Sequence, residues 1–508
     1  MKILKKISKK ELKEFLYEID INDKKIYDEV NINNGFGIFQ FSGSTALGLV
    51  KDIHPDNFEE LTAINSMARP GTIEFVPQYK DGKLNGTKKY PDVVHNLLKD
   101  SKGQILFQEQ VLKIFNIIGG FTLTEADGIR GLMKKLGKAD KKKEDIEKWD
   151  NQIKVFIEGA KANGLSEKEA YNISNDLLKL SSYSFNKSHA VAYTYAAVQT
   201  LYLSRYFRKY FYASTLAYEA TKKDAIKSAY ENCRNFGYNI LPPDINKSFK
   251  NFRPVEGNNI IFGLNEIKGI GEKPINAIIS NRPYKSIIDF IIKTQGERIT
   301  KTVVNALVCS GCFDSLINGD RKYYEAVINY YYEHKKTTKV IELLEQKWKD
   351  ALEAVPYIKT SNEDYVIYEK ELLGNNFFHG NFSDEEKEKI DILYSKGYID
   401  KSLKDVKESK LISRVPVYVS KFRIHIDKNK NEMAFVDVED MNGDKANFPI
   451  FASYWKFIKE RFQGEGMYIF ALYRDQDDKI MFGSKKWVKD EDKYKLIASF
   501  RKKEIETK

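Results

Sequence analysis

The sequence predicts a multidomain chain that is mainly α-helical and then closes in a small β-barrel. Three observations predict it. The 508 residues exceed what one core serves, since a domain takes roughly 100–200 residues. Apolar residues recur at helical spacing through most of the first 370 positions. Beyond about residue 412 the period drops to two, with short runs of Val, Ile, Phe and Tyr. Composition narrows the class further. A content of 42% hydrophobic and 13% aromatic residues excludes a wholly disordered chain. No apolar run reaches the roughly 18 residues of a membrane span, and the opening Met1-Lys2-Ile3-Leu4-Lys5-Lys6 lacks the apolar core of a signal peptide. Three cysteines cannot build a disulfide framework, so a reducing cytoplasm is expected. With 83 Lys+Arg against 72 Asp+Glu, a net +11, the chain is expected to attract polyanions, nucleic acid first.

Taken in order, residues 1–35 form a short charged helical stub, and 36–240 are mostly helical. Val111, Leu112, Phe115 and Ile118 share a helix face that Gly119-Gly120 closes. Thr124 and Asp127 are expected to open the next helix, through Met133. Ala190 to Ala217 reads as one long buried helix. Leu241-Pro242-Pro243-Asp244 marks a boundary. Residues 258–316 hold two glycine-pinned helical segments, and 320–372 hold charged helices with a stripe of Ile341, Leu344, Trp348 and Leu352. Strands are expected at 415–419, 433–438, 447–451 and 467–472, with Asn442-Gly443 as a hairpin turn. Five short strands with one helical piece, Tyr454 to Phe462, fit an OB-fold barrel.

Four stretches carry candidate chemistry. Ser184-Phe185-Asn186-Lys187-Ser188-His189-Ala190 sets an amide, a cation, a hydroxyl and an imidazole before an apolar helix. Free N–H groups at a helix start favour phosphate, and Lys187 adds a full charge; a capped helix with a solvated lysine suits the same residues. Arg130, Lys134 and Lys138 fall at four-residue spacing on one helix face, as a phosphate grip or a solvated basic face. Leu264-Asn265-Glu266-Ile267-Lys268-Gly269-Ile270-Gly271-Glu272-Lys273 matches a helix-hairpin-helix. Its glycines would let backbone N–H groups approach a DNA phosphate, with Lys268 and Lys273 flanking. In the barrel, Lys421 and Arg423, with Phe435 and Phe448, are candidates for single-stranded DNA. Cys309 and Cys312 lack the companions of a zinc site and read as packed small hydrophobes. His54, His95, His334, His379 and His425 show no metal spacing and read as surface or cap residues.

Phe107-Gln108-Glu109-Gln110-Val111, Ala68-Arg69-Pro70-Gly71, the Arg130–Lys138 segment, Phe185–Ala190, Leu241–Asn246 and Tyr368-Glu369-Lys370-Glu371-Leu372-Leu373-Gly374 resemble C-family bacterial replicative polymerases. The likeness is to the DNA polymerase III alpha subunit, from about residue 22 to 485. It implies an organisation in which 1–35 follows an absent palm, 36–240 are polymerase fingers and 241–320 a tandem helix-hairpin-helix. A helical connector (321–411), the OB barrel (412–490) and a basic tail (491–508) would follow. It also implies that Arg69, Gln108, Glu109, Arg130, Lys134, Asn186, Lys187, Ser188 and His189 contact the incoming nucleotide. Where the family carries two adjacent arginines, this chain has Arg130-Gly131, which would leave the triphosphate grip weaker or shift it to Lys134 and Lys135. Lys268, Gly269, Ile270, Gly271 and Lys273 would meet duplex DNA.

Polymerase aspartates that hold two Mg²⁺ ions lie in the family's palm, ahead of these residues. Glu18-Ile19-Asp20 and Asp437-Val438-Glu439 receive no metal role, and no catalytic residue is expected here. The expected partners are primer–template DNA, a deoxynucleoside triphosphate and a separate palm-bearing chain, without a membrane. A sliding clamp stays open as a partner, although 316–412 contain no clear clamp peptide. The leading expectation is therefore part of a split DNA polymerase. A non-catalytic polymerase remnant that recognises primer–template junctions is the alternative.

Overall fold

The computed structural model describes residues 9–32, 35–69, 72–136, 142–180, 185–219, 223–334, 340–400, 402–406, 413–460, 462 and 464–483. The chain divides into two compact units, Met1–Thr215 and Leu216–Lys508. No helix is long and apolar enough to cross a membrane among the described residues.

The first unit is helical and holds two cores. One gathers Ile26, Phe41, Leu61, Ile64, Val198 and Leu201, and the other Val94, Val111, Phe115, Phe156 and Leu177. The helix Phe58–Met67 starts at Asn57, whose side chain accepts the Glu60 N–H at 2.9 Å. Helix Leu123–Leu136 starts one residue before the expected Thr124, so the cap falls on Thr122. Thr122 Oγ1 accepts the Glu125 N–H at 3.3 Å, and the Glu125 carboxylate accepts the Thr122 N–H at 2.8 Å. This reciprocal box satisfies two N–H groups at the helix start. The Val111–Ile118 face runs through the α-helix Gln108–Lys113 into a π-helical turn, Ile114–Ile118. The expected single helix over 190–217 is two, Lys187–Tyr206 and Arg208–Glu219, broken at Phe207. Past the break the Arg208 guanidinium reaches the buried Glu29 carboxylate, which also accepts from Ser204 Oγ at 2.6 Å. A charge buried at Glu29 is tolerable only with such partners.

Three short strands open the second unit's ordered core: β1 (Asn239–Leu241), β2 (Arg253–Pro254) and β3 (Asn259–Ile261). They lie in the order β1-β3-β2. The expected first helix of the hairpin is a single 3-10 turn, Leu264–Glu266, which leads through Gly269-Ile270-Gly271 into the helix Glu272–Ser280. The second glycine-pinned pair is Lys301–Cys309 and Asp314–Ile317. Between them Gly311 has φ +90°, and a Cβ there would sit 2.4 Å from Arg321 Nη2. Arg321 is buried, paired with Asp314 at 2.6 Å and donating to the Cys309 carbonyl at 3.2 Å. Cys233, Cys309 and Cys312 are all buried, and burial pushes the thiols of Cys233 and Cys312 up to about 12. His379 is not a plain surface residue. Its Nδ1 contacts Glu369, a fully buried carboxylate that also accepts the Phe378 N–H at 2.9 Å. In the helix Ile341–Ala354, Leu344 and Trp348 are buried, but Ile341 is exposed because it begins the helix.

The barrel strands are β4 (Ser413–Ile426), β5 (Glu432–Glu439), β6 (Lys445–Ile450), β7 (Gly466–Arg474) and β8 (Ile480–Phe482). Their order is β6-β5-β4-β7-β8, all antiparallel. β4 is longer than expected because it serves two partners. Its first half pairs β7, its second half pairs β5, and the register shifts between Val419 and Lys421. At the Asn442-Gly443 turn, the Asp440 carboxylate accepts the N–H groups of Asn442 and Asp444, both at 2.9 Å. The intervening helix is Ala452–Ile458, shorter than expected. Phe448 is buried among Val436, Ile450 and Leu472, so it is core and offers no stacking face.

Helix Lys143–Ala162 touches the π-turn backbone to backbone: a Cβ on Gly159 would lie 2.1 Å from the Gly119 carbonyl oxygen. Gly159→Ala should therefore lower stability by about 1–3 kcal/mol, read as a fall in the denaturant midpoint; an unchanged midpoint would refute the contact. A second expectation concerns Glu266, whose carboxyl burial raises from 4.5 to about 7. The folded chain holds that proton more tightly than the unfolded one. Its contribution is complete below pH 4.5 and is lost as pH rises through about 7. Glu266→Gln should outlast the parent chain in denaturant at about pH 8 and match it at about pH 4; equal midpoints at both would overturn the assignment.

Candidate nucleotide and DNA interface

Two distant segments meet at Phe107 and Phe185, which form a parallel bridge. Phe185 N–H donates to the Leu106 carbonyl and Gln108 N–H to the Phe185 carbonyl, both at 2.9 Å. Each segment turns at once into a helix, Gln108–Lys113 and Lys187–Tyr206, so two helix starts lie side by side.

The helix starts carry their own caps. Asn186 Oδ1 accepts the His189 N–H at 2.8 Å and the Ser188 hydroxyl at 2.6 Å. The Glu109 carboxylate accepts the Lys187 N–H at 2.9 and 3.0 Å. Two of the N–H groups expected to await phosphate are thus occupied, and Asn186 and Glu109 act first as framework for the motif. What the motif offers outward is the side chains of Lys187, Ser188 and His189.

The cations converge on this junction. Lys187 Nζ pairs with Asp100 at 2.9 Å and lies 5.6 Å from the centre of the Phe107 ring. Arg130 pairs with Asp127 at 2.8 Å, and its Nη1 donates to Gln108 Oε1 at 3.3 Å. The Arg69 guanidinium stacks 3.5 Å from the centre of the Phe185 ring, and partial burial lowers its pKa. Lys134 and Lys135 are exposed on the last turn of the helix that carries Arg130. Pro70, Gly71, Lys138 and Ser184 lie outside the described residues. Exposed ion pairs contribute only about 0–1 kcal/mol each, so Asp100 and Asp127 hold their cations weakly. Those two acids and the Phe185 platform were missed in the sequence. Asp127 stands three residues before Arg130 and was visible there; Asp100, 87 residues from Lys187, gave no local signal. Beside Arg69 and His189 lies a pocket of about 300 Å³ that also touches Gln40, Ser44, Asn65 and Tyr193.

In the second unit, the Lys268 N–H donates to the Leu372 carbonyl at 2.9 Å. Gly269 has φ +86°, the left-handed conformation that glycine adopts without strain. Ile270 is buried and pins the turn, with its side chain out of reach of any ligand. Gly271 caps the helix Glu272–Ser280, while Lys268 and Lys273 are exposed. Lys250, unforeseen, joins them by pairing with Glu272. On the barrel, Lys421 and Arg423 are exposed, and Arg423 lies 4.9 Å from the centre of the Phe435 ring, its cross-strand partner. Among the described residues no group of three or more His, Cys, Asp or Glu is arranged to hold a metal ion; Asp437 instead hydrogen-bonds Asn447.

Residues 1–164 match the family model described as the bacterial DNA polymerase III alpha subunit finger domain, and residues 237–324 match the helix-hairpin-helix motif. The DNA polymerase III subunit alpha of Borreliella burgdorferi is 33% identical over 443 residues, covering 83% of this chain and 37% of that protein. The Aquifex aeolicus subunit is 36% identical over 306 residues, 58% of this chain and 26% of its own length. The Escherichia coli K12 subunit is 33% identical over 311 residues, 59% and 26% respectively. The chain thus spans between a quarter and two fifths of the length of these relatives. The finger-domain match, the hairpin match and the sequence likeness agree: over these residues the chain is similar to bacterial DNA polymerase III alpha subunits.

Proposed function

We propose that this chain is the nucleotide- and DNA-gripping part of a replicative DNA polymerase, working in the cytoplasm with a separate palm-bearing chain. The observation that carries the reading is the convergence of Lys187, Arg130 and Arg69 on the Phe107–Phe185 bridge, of which Arg69, Phe107 and Arg130 lie inside the region that matches the finger domain. Lys187 and Arg130, with Lys134 and Lys135, would neutralise and align the triphosphate, the positioning work that dominates phosphoryl transfer. Ser188 and His189 would add directed hydrogen bonds. The amides at Gly269–Gly271 and the lysines beside them would hold duplex phosphates without reading sequence. Arg423 and Phe435 would meet unpaired template on the barrel. Mg²⁺ belongs in this reading with palm carboxylates on the partner, as the resemblance implies. No chemical step is assigned to a residue of this chain.

Primed DNA should bind the purified chain without nucleotide incorporation, and adding a palm-bearing chain with Mg²⁺ should give primer extension. Lys187→Ala or Arg130→Ala should then slow extension roughly 10- to 100-fold, the worth of one charge-assisted contact; unchanged rates would refute the triphosphate role. If no partner restores synthesis while primed DNA still binds, the chain is a non-catalytic junction-binding remnant. For the hairpin, Lys268→Ala and Lys273→Ala should each reduce the slope of log affinity against log salt by about 1. An unaltered slope would remove that lysine from the interface.

A further inference from the structure

A cavity of about 550 Å³ lies in the second unit, and none of the residues given above to nucleotide or DNA lines it. Its walls are the end of the helix Lys223–Asn235, residues 375–377, residues 403–404, the β5–β6 turn and the strands β7 and β8. Arg234, Lys404, Lys445 and Arg474 bring four cations to it. Three have partners: Lys445 pairs with Glu231, Lys404 with Asp444 at 3.3 Å, and Arg474 with Asp478 at 3.1 Å. Arg234 is exposed and makes no ion pair among the described residues. The β5–β6 turn comes close to its guanidinium, since a Cβ on Gly443 would lie 3.6 Å from Arg234 Nη1. Another wall is aromatic. Tyr230 stands one turn before Arg234 on the same helix, and its ring centre lies 5.0 Å from that of Phe377. The Tyr230 hydroxyl donates to the Phe377 carbonyl at 2.9 Å, which fixes both rings before any ligand arrives. Asn375 and Asn376 set amides beside them.

A guanidinium without an acid, among cations on several elements, favours an anion with more than one charged group. Glu231, Glu439 and Asp444 oppose it in the same walls and leave a surplus of one positive charge. Exposed ion pairs are weak, so Lys404 and Lys445 are free to turn toward a phosphate. A bare phosphate chain would leave the rings and amides unused, whereas a nucleoside at its end would use both. The volume falls within the range of small-ligand pockets. We propose that this cavity is a second nucleotide site, for a free nucleoside di- or triphosphate. Its phosphates lie against Arg234, Lys404 and Lys445, and its base lies on the Tyr230–Phe377 wall. The site is separate from the fingers and takes no part in nucleotide incorporation. The Lys445–Glu231 pair already joins the barrel to the helix Lys223–Asn235. A bound nucleotide adds a second tie between them, so its supply regulates how firmly the barrel is held.

The test illuminates the full chain with 8-azido-dATP and maps the labelled peptides by mass spectrometry. Label on peptides that carry Tyr230 or Phe377 supports the proposal, and label confined to the first unit overturns it. Arg234→Ala should weaken labelling of those peptides roughly 10- to 100-fold and leave any label in the first unit unchanged. Arg234→Lys, which keeps the charge, should lose less, and both variants should unfold at the parent's temperature. Undiminished labelling of Arg234→Ala overturns the proposal. Unlabelled dATP should protect the peptides at a lower concentration than inorganic pyrophosphate does. Equal protection by pyrophosphate would overturn the nucleoside assignment, and protection by single-stranded DNA but not by dATP would overturn the site as one for a free nucleotide. Label at Tyr230 or Phe377 with none in the first unit would support this inference and count against the fingers reading alone.

Discussion

The single bridge between Phe107 and Phe185 is the constraint on which the fingers site depends. Two backbone hydrogen bonds join segments 78 positions apart and bring two helix starts together. Everything assembled there follows from that junction. Glu109 can reach the Lys187 N–H only because the bridge sets one helix beside the other. Gln108 can receive Arg130 only because the same helix start faces the helix Leu123–Leu136. Phe185, fixed by its own backbone, becomes the plate on which Arg69 lies. A short β contact inside a helical unit therefore does for this site what a strand end does in an α/β enzyme: it aims side chains from several elements at one point.

The electrostatics of the junction are graded by burial. Deep charges such as Glu29 with Arg208, and Glu60 with Lys83 and Lys102, are held by close partners and serve the fold. The cations at the surface keep looser partners that water screens. On the proposed reading, the distinction separates a fixed framework from a grip that changes partners.

Much of the architecture was legible in the sequence because it rests on local signals. The change of hydrophobic period located the barrel, Asn442-Gly443 marked its hairpin, and the Gly-Ile-Gly turn announced the DNA-directed hairpin. The errors were those of competition between neighbours. Thr122 displaced Thr124 as the cap because Glu125 could reciprocate. The long aromatic helix broke at Phe207, where the following Arg208 answers a buried acid far away in the chain. Phe448 and Phe435 alternate along one barrel yet face opposite environments, which a list of aromatic positions does not convey. In the site, residue types were legible but their divisions of labour were not. Asn186 and Glu109 also hold the helix start, a role set by tertiary geometry that the sequence did not display.

Asp100 and Asp127 are seated on Lys187 and Arg130. On the proposed reading, an arriving anion would trade places with a carboxylate rather than fill a bare positive hole. The same acids would return once a smaller, more weakly held anion remained. A grip built this way would recover on its own, because letting go would restore pairs the protein already owns.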